Sequence, residues 1–444
     1  VVWLLGSFCF YPSEVRPVWH WLGVAGQIAL STLLLAACWT PWLNEEAATP
    51  VATPGARQTT ELVLLGWVRS PLEDQRLHGL IERFTQAHPT LQVRVELVTE
   101  SYQAKLQSAL LDDPPVDVVW VDSLHFPDLA AAGQLQPLGE RLNGVDDFDP
   151  ALRNIFTWSS QLYCAPQSAS TLALFYHRGL FDQAGLAYPT STWTWDDLSA
   201  AAEKLTNVET GITGLLLNPD LARWLPLLYQ GGATVVDANL QQMTINSPEA
   251  LAVLDFWLER VQENQAKRAT DLGGLWSGEV FGAGKAAMTV EGNWLVPYLQ
   301  TQFPRLAFGV SELPAGPTGK ATLLFANCYA IPQGAANLEA AIQLVNFLSG
   351  VEGARGWIDQ VTSLPLRTSL RQEWLNHHTD HTAFVAGISY AQPWRFFPNF
   401  SRVIDSFNAG MESAYLNTRA PADILAEVEQ VGNATLGAML NAQR

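Results

Sequence analysis

Glu291, Gly292, Asn293 and Trp294 place a carboxylate, a position without a side chain, an amide and a large ring in succession. Carboxylate and amide groups are planar partners for hydroxyls, and an indole face packs on C–H bonds. The group therefore suits a ligand that offers both, as a sugar ring does. It follows residues 286–290, a short apolar run of the kind that forms a strand covered on both faces. Gly282 and Gly284 break the helix before that run, and Asn293 is placed to cap the helix after it. In a parallel α/β sheet the residues just past a strand's C-terminal end face the ligand crevice. The other reading of Trp294 is a core ring, in a chain with 17 Trp.

Asp122 and Ser123 stand in the same position after residues 116–121 (VDVVWV), a continuous apolar strand. Asp122 is either a cap or a ligand contact. Paired with Glu291 it also raises a glycosidase acid and base, which makes an extracytoplasmic glycoside-processing enzyme the alternative function. Carboxylates are equally ordinary partners of sugar hydroxyls. The chain lacks Gly-x-Ser-x-Gly and Gly-x-x-x-x-Gly-Lys-Ser/Thr, so no enzyme activity is expected. His377, His378 and His381 lie near Asp380 without the H-E-x-x-H pattern and read as a solvated, polar segment. Four Cys show no metal-ligand spacing, so no metal and no cofactor is expected. Cys9 and Cys38 fall in the leader. Cys164 and Cys328 are free buried thiols or the one pair able to bridge in the mature chain.

The elements that must position these groups belong to a chain of 444 residues, enough for two domains and appendages. Apolar residues make up 48% and charged residues 15%, a globular composition with a sizeable core. A net charge of −18 argues against nucleic acid and anionic membrane surfaces as partners and leaves neutral ligands open.

Residues 21–37 form an uncharged, mostly apolar run that ends in Leu35-Ala36-Ala37-Cys38. These four resemble a bacterial lipobox, in which the Cys sulfur takes a diacylglycerol. Residues 1–37 are accordingly expected to be a signal peptide and Cys38 the lipidated N-terminus; an uncleaved anchor is the other reading. Residues 38–60 form a flexible tether, Ala/Thr/Pro-rich and without apolar period. In either case the body lies outside the cytoplasmic membrane.

In that body, strand 61–68 carries Trp67 at its end, a helix runs from Pro71 to just before Pro89, and residues 91–98 alternate as a half-exposed strand. A helix at 101–111 leads to strand 116–121. This βαβ succession predicts a mostly parallel sheet. Further on, a strand at 162–166 is halted by Pro166 and a second runs from 172 to 177. Thr194 and Asp197 form a capping box, Trp224 lies on a helix at 223–232, residues 248–261 are amphipathic, and strand 323–332 precedes a helix capped by Asn337.

Three stretches carry a family resemblance. They are Gly284-Lys-Ala-Ala-Met288 followed by Gly292 and Trp294; Pro115 to Asp122 with Leu129 to Leu138; and Phe175-Tyr-His-Arg-Gly-Leu-Phe-Asp-Gln-Ala-Gly185 with Thr194-Trp-Asp-Asp-Leu198. From about residue 62 onward the chain resembles the extracellular solute-binding proteins of sugar ABC transporters, the family of maltose-binding protein. The resemblance implies an α/β, two-lobed periplasmic-binding-protein fold, each lobe a mostly parallel sheet flanked by helices, joined by a hinge. It divides the body into lobe 1 (61–166 plus 322–370) and lobe 2 (167–321 plus 371–444). It also implies that Trp294 stacks on the ligand, that Asp122 touches it, that strand 323–332 passes the hinge with Ala326-Asn327 where many members have paired glycines, and that Trp394 and Arg395 lie at the cleft rim. The candidate ligand-binding set is thus Trp67, Asp122, Ser123, Trp224, Glu291, Asn293, Trp294, Asn327, Trp394 and Arg395. The implied function is capture of a sugar or polyol and its delivery to permease subunits by a monomeric, lipid-anchored receptor on the outer face of the cytoplasmic membrane.

Overall fold

A computed structural model describes residues 59–67, 71–358 and 363–442; the expected leader, Cys38 and nearly all of the tether lie outside them. Among the described residues twelve strands follow in order: β1 (Thr60–Trp67), β2 (Leu91–Val98), β3 (Val118–Asp122), β4 (Thr157–Trp158), β5 (Gln161–Leu162), β6 (Ala165–His177), β7 (Thr213–Leu216), β8 (Ala266–Lys267), β9 (Ala286–Gly292), β10 (Phe308–Ser311), β11 (Thr322–Ala330) and β12 (Ala391–Pro393). Ten of them form one sheet in the order β2-β1-β3-β11-β6-β9-β7-β8, with β10 on β6 and β12 on β11; β4 and β5 form a separate pair.

The sheet is parallel at both wings and antiparallel in the middle. On one side β1 pairs in parallel with β2 and β3, the crossover helix Pro71–Ala87 burying Leu77, Leu80, Ile81 and Phe84. On the other, β7 pairs in parallel with β8 and β9. Between them β11 runs antiparallel to β3 and β6, and β6 antiparallel to β9 and β10. Leu162 lies in β5, while residues 165–166 and 172–177 of the two expected strands therefore belong to one crossing strand. Pro166 does not halt it, because Pro166 sits opposite Cys328 where the register with β11 shifts, and a bulge tolerates a residue without an N–H.

Along β6, Leu172, Leu174 and Tyr176 feed one apolar cluster, while Ala173 and Phe175 feed the other, as strand alternation requires. The first cluster gathers β1, β3 and their helices around Phe84, Trp120, Phe126, Tyr329 and Trp357. The second is built on Trp224, Trp257, Met288 and Leu323, and is covered by the C-terminal helices Ser401–Tyr415 and Pro421–Ala442 through Phe407, Met411, Ile424 and Leu425. Cys164 and Cys328, both fully buried in the first cluster, are joined as a disulfide with Cα atoms 5.5 Å apart. Of the two readings of this pair, the bridge is the one found.

Two local expectations change. The His segment is not solvated throughout: His381 is 4% exposed, and Trp374 stacks on His378 at 4.5 Å. The cap of helix Leu295–Gln302 is Trp294, without a side-chain bond, rather than Asn293. The Thr194–Asp197 capping box is present with both reciprocal bonds. Among the described residues no helix is long and apolar enough to cross a membrane.

Candidate functional site

The strand ahead of Trp294 is longer than its apolar run suggests. β9 continues through Glu291 and Gly292, which pair with Ala173 and Leu172 of β6, so these two residues lie inside the sheet and not past its end. Glu291 is 1% exposed. A carboxylate so deeply placed needs partners. Arg223, near the start of helix Leu221–Gln230, supplies one: its Nη2 donates to Glu291 Oε2 at 2.7 Å, while Nη1 donates to Asp220 Oδ1 at 3.2 Å. Burial lowers the Arg223 pKa, but the two carboxylates outweigh it and hold the guanidinium above its ordinary value. The indole Nε1 of Trp294 donates to the same Oε2 at 3.1 Å.

Gly292 is not an open approach to the ring. A Cβ there would lie 2.1 Å from Trp294, so the indole itself fills the space that the missing side chain leaves. Beyond Trp294 the rings continue. Phe325 meets it edge-on at 5.8 Å, Trp394 follows at 5.5 Å from Phe325, and all three are half-buried against the second cluster. Trp394 is held there by its backbone N–H, which donates to Leu324 O at 2.9 Å beside the β11–β12 pairing.

The polar candidates line up on β11 and β3. Asn327 is two residues from Phe325, hence on the same strand face; it is in register with Asp122 and donates to Ser168 Oγ at 2.8 Å. The Asp122 carboxylate accepts from the backbone N–H groups of Leu124 and His125, at 3.0 and 2.9 Å, and from Gln103 Nε2 at 2.9 Å. These bonds close the turn after β3; the helix Phe126–Ala131 that follows has His125 as its cap residue and no side-chain cap bond, so Asp122 does not cap it. Ser123 is buried and bonded through its backbone to Ala326 O.

The remaining candidates are dispersed. Trp67 packs in the first cluster against Tyr102 at 4.6 Å and Trp120 at 5.4 Å. Trp224 has no accessible surface, and its Nε1 donates to Asn218 O at 3.0 Å; the structure places it in the core of the second cluster, because the helix face it shares with Leu225 and Leu228 is the buried one. Asn293 is fully buried, its backbone carbonyl accepting from Val296 N–H. Arg395 reaches toward helix Pro150–Ile155, where Nη2 donates to Thr157 O at 3.0 Å and the guanidinium lies over Phe126 and Trp158. Burial holds its pKa below the usual value.

Sequence reasoning missed Phe325 and Arg223. Phe325 is an apolar residue in an apolar strand, and only its side of the strand distinguishes it. Arg223 directly precedes Trp224 on a helix read as packing, with the carboxylate that it meets 68 residues away. An open cleft of ≈ 730 Å³ walled by Trp195, Val253, Phe256 and Pro317 contains none of the ten candidates.

The model of the family described as bacterial extracellular solute-binding protein matches residues 70–355. The maltooligosaccharide ABC transporter solute-binding lipoprotein of Streptococcus pneumoniae is 24% identical over 399 residues, 86% of this chain and 88% of that protein. Among solved structures, an ABC substrate-binding protein from Listeria monocytogenes in complex with cycloalternan superposes with a TM-score of 0.78 at 25% identity, covering 85% of this chain and 99% of that one. The GacH receptor of Streptomyces glaucescens, solved unliganded and with acarbose, superposes with a TM-score of 0.76 at 23% identity, covering 85% and 99%. The fold is accordingly that of two-lobed periplasmic binding proteins, as expected from the sequence. With parallel wings on either side of two crossing strands, and with the family model matching well over half its length, the chain belongs to the bacterial extracellular solute-binding proteins, a family of receptors and not of enzymes.

Proposed function

We propose that the protein captures a sugar or polyol between two lobes and presents it to the permease subunits of an ABC transporter, acting as a monomer tethered through a lipidated Cys38. The observation that carries this reading is the row of half-buried rings Trp294, Phe325 and Trp394, with Asn327 on the same strand face as Phe325. Flat apolar surface beside planar polar groups is what a pyranose or an extended polyol requires. The lobes are 61–166 with 322–370 and 167–321 with 371–444, and β6 and β11 carry the crossings about which they close on the ligand. Glu291, Asn327 and Trp394 border or support the site around Trp294, with Asp122 and Ser123 beside Asn327 on the neighbouring strand. The relative named for maltooligosaccharides and the neighbours solved with cycloalternan and acarbose support glycans as the first class to try.

Calorimetry and thermal-shift measurements with maltotetraose, cycloalternan, mannotriose and mannitol, run beside a turnover assay, test the reading. One-to-one binding that raises the melting temperature without product is expected. Product formation without stoichiometric binding overturns it in favour of glycoside processing.

A further inference from the structure

The indole N–H is the only hydrogen-bond donor that a tryptophan side chain has, and in Trp294 it is directed at Glu291 Oε2, 3.1 Å away. The same oxygen receives Arg223 Nη2 at 2.7 Å. Glu291 has 1% of its side chain exposed and Arg223 22%, so the carboxylate is in no position to reach a ligand and the guanidinium points inward at its two acceptors. Arg223 is anchored in turn by Asp220, which accepts from both its backbone N–H and its Nη1 at 3.2 Å and caps the helix on which it sits. A planar fork serves two carboxylates in fixed directions; a lysine ammonium does not hold that geometry. One face of the indole is closed off by Gly292, and its edge contact with Phe325 is set at 75°.

We propose that Arg223 is the positioning residue of the binding platform, acting through Glu291 to hold the indole of Trp294. The proposal rests on the sugar-binding reading of Trp294 and assigns Glu291 a different part in it: the carboxylate fixes the ring and does not touch the ligand. With its N–H committed inside the protein and one face against Gly292, Trp294 offers the ligand a bare ring face. Such a platform selects for the C–H face of a pyranose and contributes no hydrogen bond of its own. Hydroxyl recognition then falls to other residues around the site.

The test uses the full chain labelled with fluorotryptophan, the Trp294 fluorine resonance being assigned by its loss in Trp294→Phe. Arg223→Met is expected to move or broaden that resonance and to weaken binding of maltotetraose or mannotriose about tenfold. Arg223→Met combined with Glu291→Gln removes both buried charges and leaves an amide oxygen for the indole N–H, so it restores both readouts. A resonance unmoved in Arg223→Met overturns the proposal, with or without a loss of affinity. A double variant that stays folded but fails to restore the resonance overturns it as well, because the effect is then general. Should Arg223→Met not fold, the double variants with Glu291→Gln and with Glu291→Leu are compared: the first keeps the resonance in place and the second moves it, and identical spectra overturn the proposal. If neither glycan binds the unaltered protein, the sugar reading fails while the fluorine comparison still decides the role of Arg223.

Discussion

The imidazole Nδ1 of His125 lies 2.8 Å from Oδ2 and 2.9 Å from Oδ1 of Asp122, and Asp128 adds a second negative charge nearby. The hydrogen bond to Asp122 raises the His125 pKa above 6.5, with burial opposing. A base whose folded pKa exceeds its unfolded value contributes stability in full below the unfolded value, and that contribution is lost as pH rises through the folded one. Melting curves of the protein and of His125→Asn should therefore differ most below pH 6.5 and converge above it. Burial raises Asp128 from its ordinary value and lowers His177 from 6.5, and both groups are present in the two proteins compared. A difference between the two proteins that stays constant across neutral pH removes the His125–Asp122 pair from the account.

Trp294 and Trp224 should separate binding from folding. Trp294→Ala is expected to cost about 2 kcal/mol of ligand affinity or more, roughly thirtyfold. Trp224 is fully buried, so Trp224→Ala should instead cost about 3–5 kcal/mol of folding stability. Denaturant titration of both variants beside calorimetry checks this. A greater stability loss at Trp294 than at Trp224, with affinity retained, would return Trp294 to the core.

Cys164 and Cys328 join the residue just before β6 to the C-terminal part of β11 across 164 residues of sequence. Closing so long a loop restricts the unfolded chain, and Cys164→Ala with Cys328→Ala should lower unfolding stability by about 2–5 kcal/mol. Intact mass with and without reduction establishes the bridge first. Unchanged denaturation midpoints after reduction would show that β6 and β11 hold their pairing without it.

Cys38→Ala should leave the precursor uncleaved and without diacylglycerol, while the unaltered protein partitions with membranes after processing. Labelled palmitate incorporation together with detergent phase separation reads this directly. A variant that is still cleaved and released in soluble form would rule out the lipobox.

Within the described residues, much of the fold was legible because periodicity and punctuation act locally. Leu91–Val98 alternates and is a strand, the helix opened by Pro71 ends two residues before Pro89, and the Thr194–Asp197 box caps its helix. Pro166 misled for a nonlocal reason: its missing N–H is harmless only because β11 shifts register opposite it. The same distinction runs through the candidate site. Residue type and spacing at Glu291–Trp294 identified a ring, a gap and a carboxylate, but not that the ring would fill the gap or that the carboxylate would hold the ring.

The sequence by itself determined the α/β class, the parallel succession of β1, β2 and β3 and the family resemblance, since hydrophobic period, strand-to-helix alternation and short motifs are written in neighbouring residues; the second parallel wing of β7, β8 and β9 was not read from it. Only the tertiary structure decided which groups meet. Arg223 and Glu291 are 68 residues apart, Cys164 and Cys328 are 164, and Phe325 reaches Trp294 and Trp394 from a strand between their elements in the chain. Such pairings depend on the register of β11 against β3 and β6, and on which strand face each side chain takes, and a shift of one residue would turn every side chain to the opposite face of the sheet.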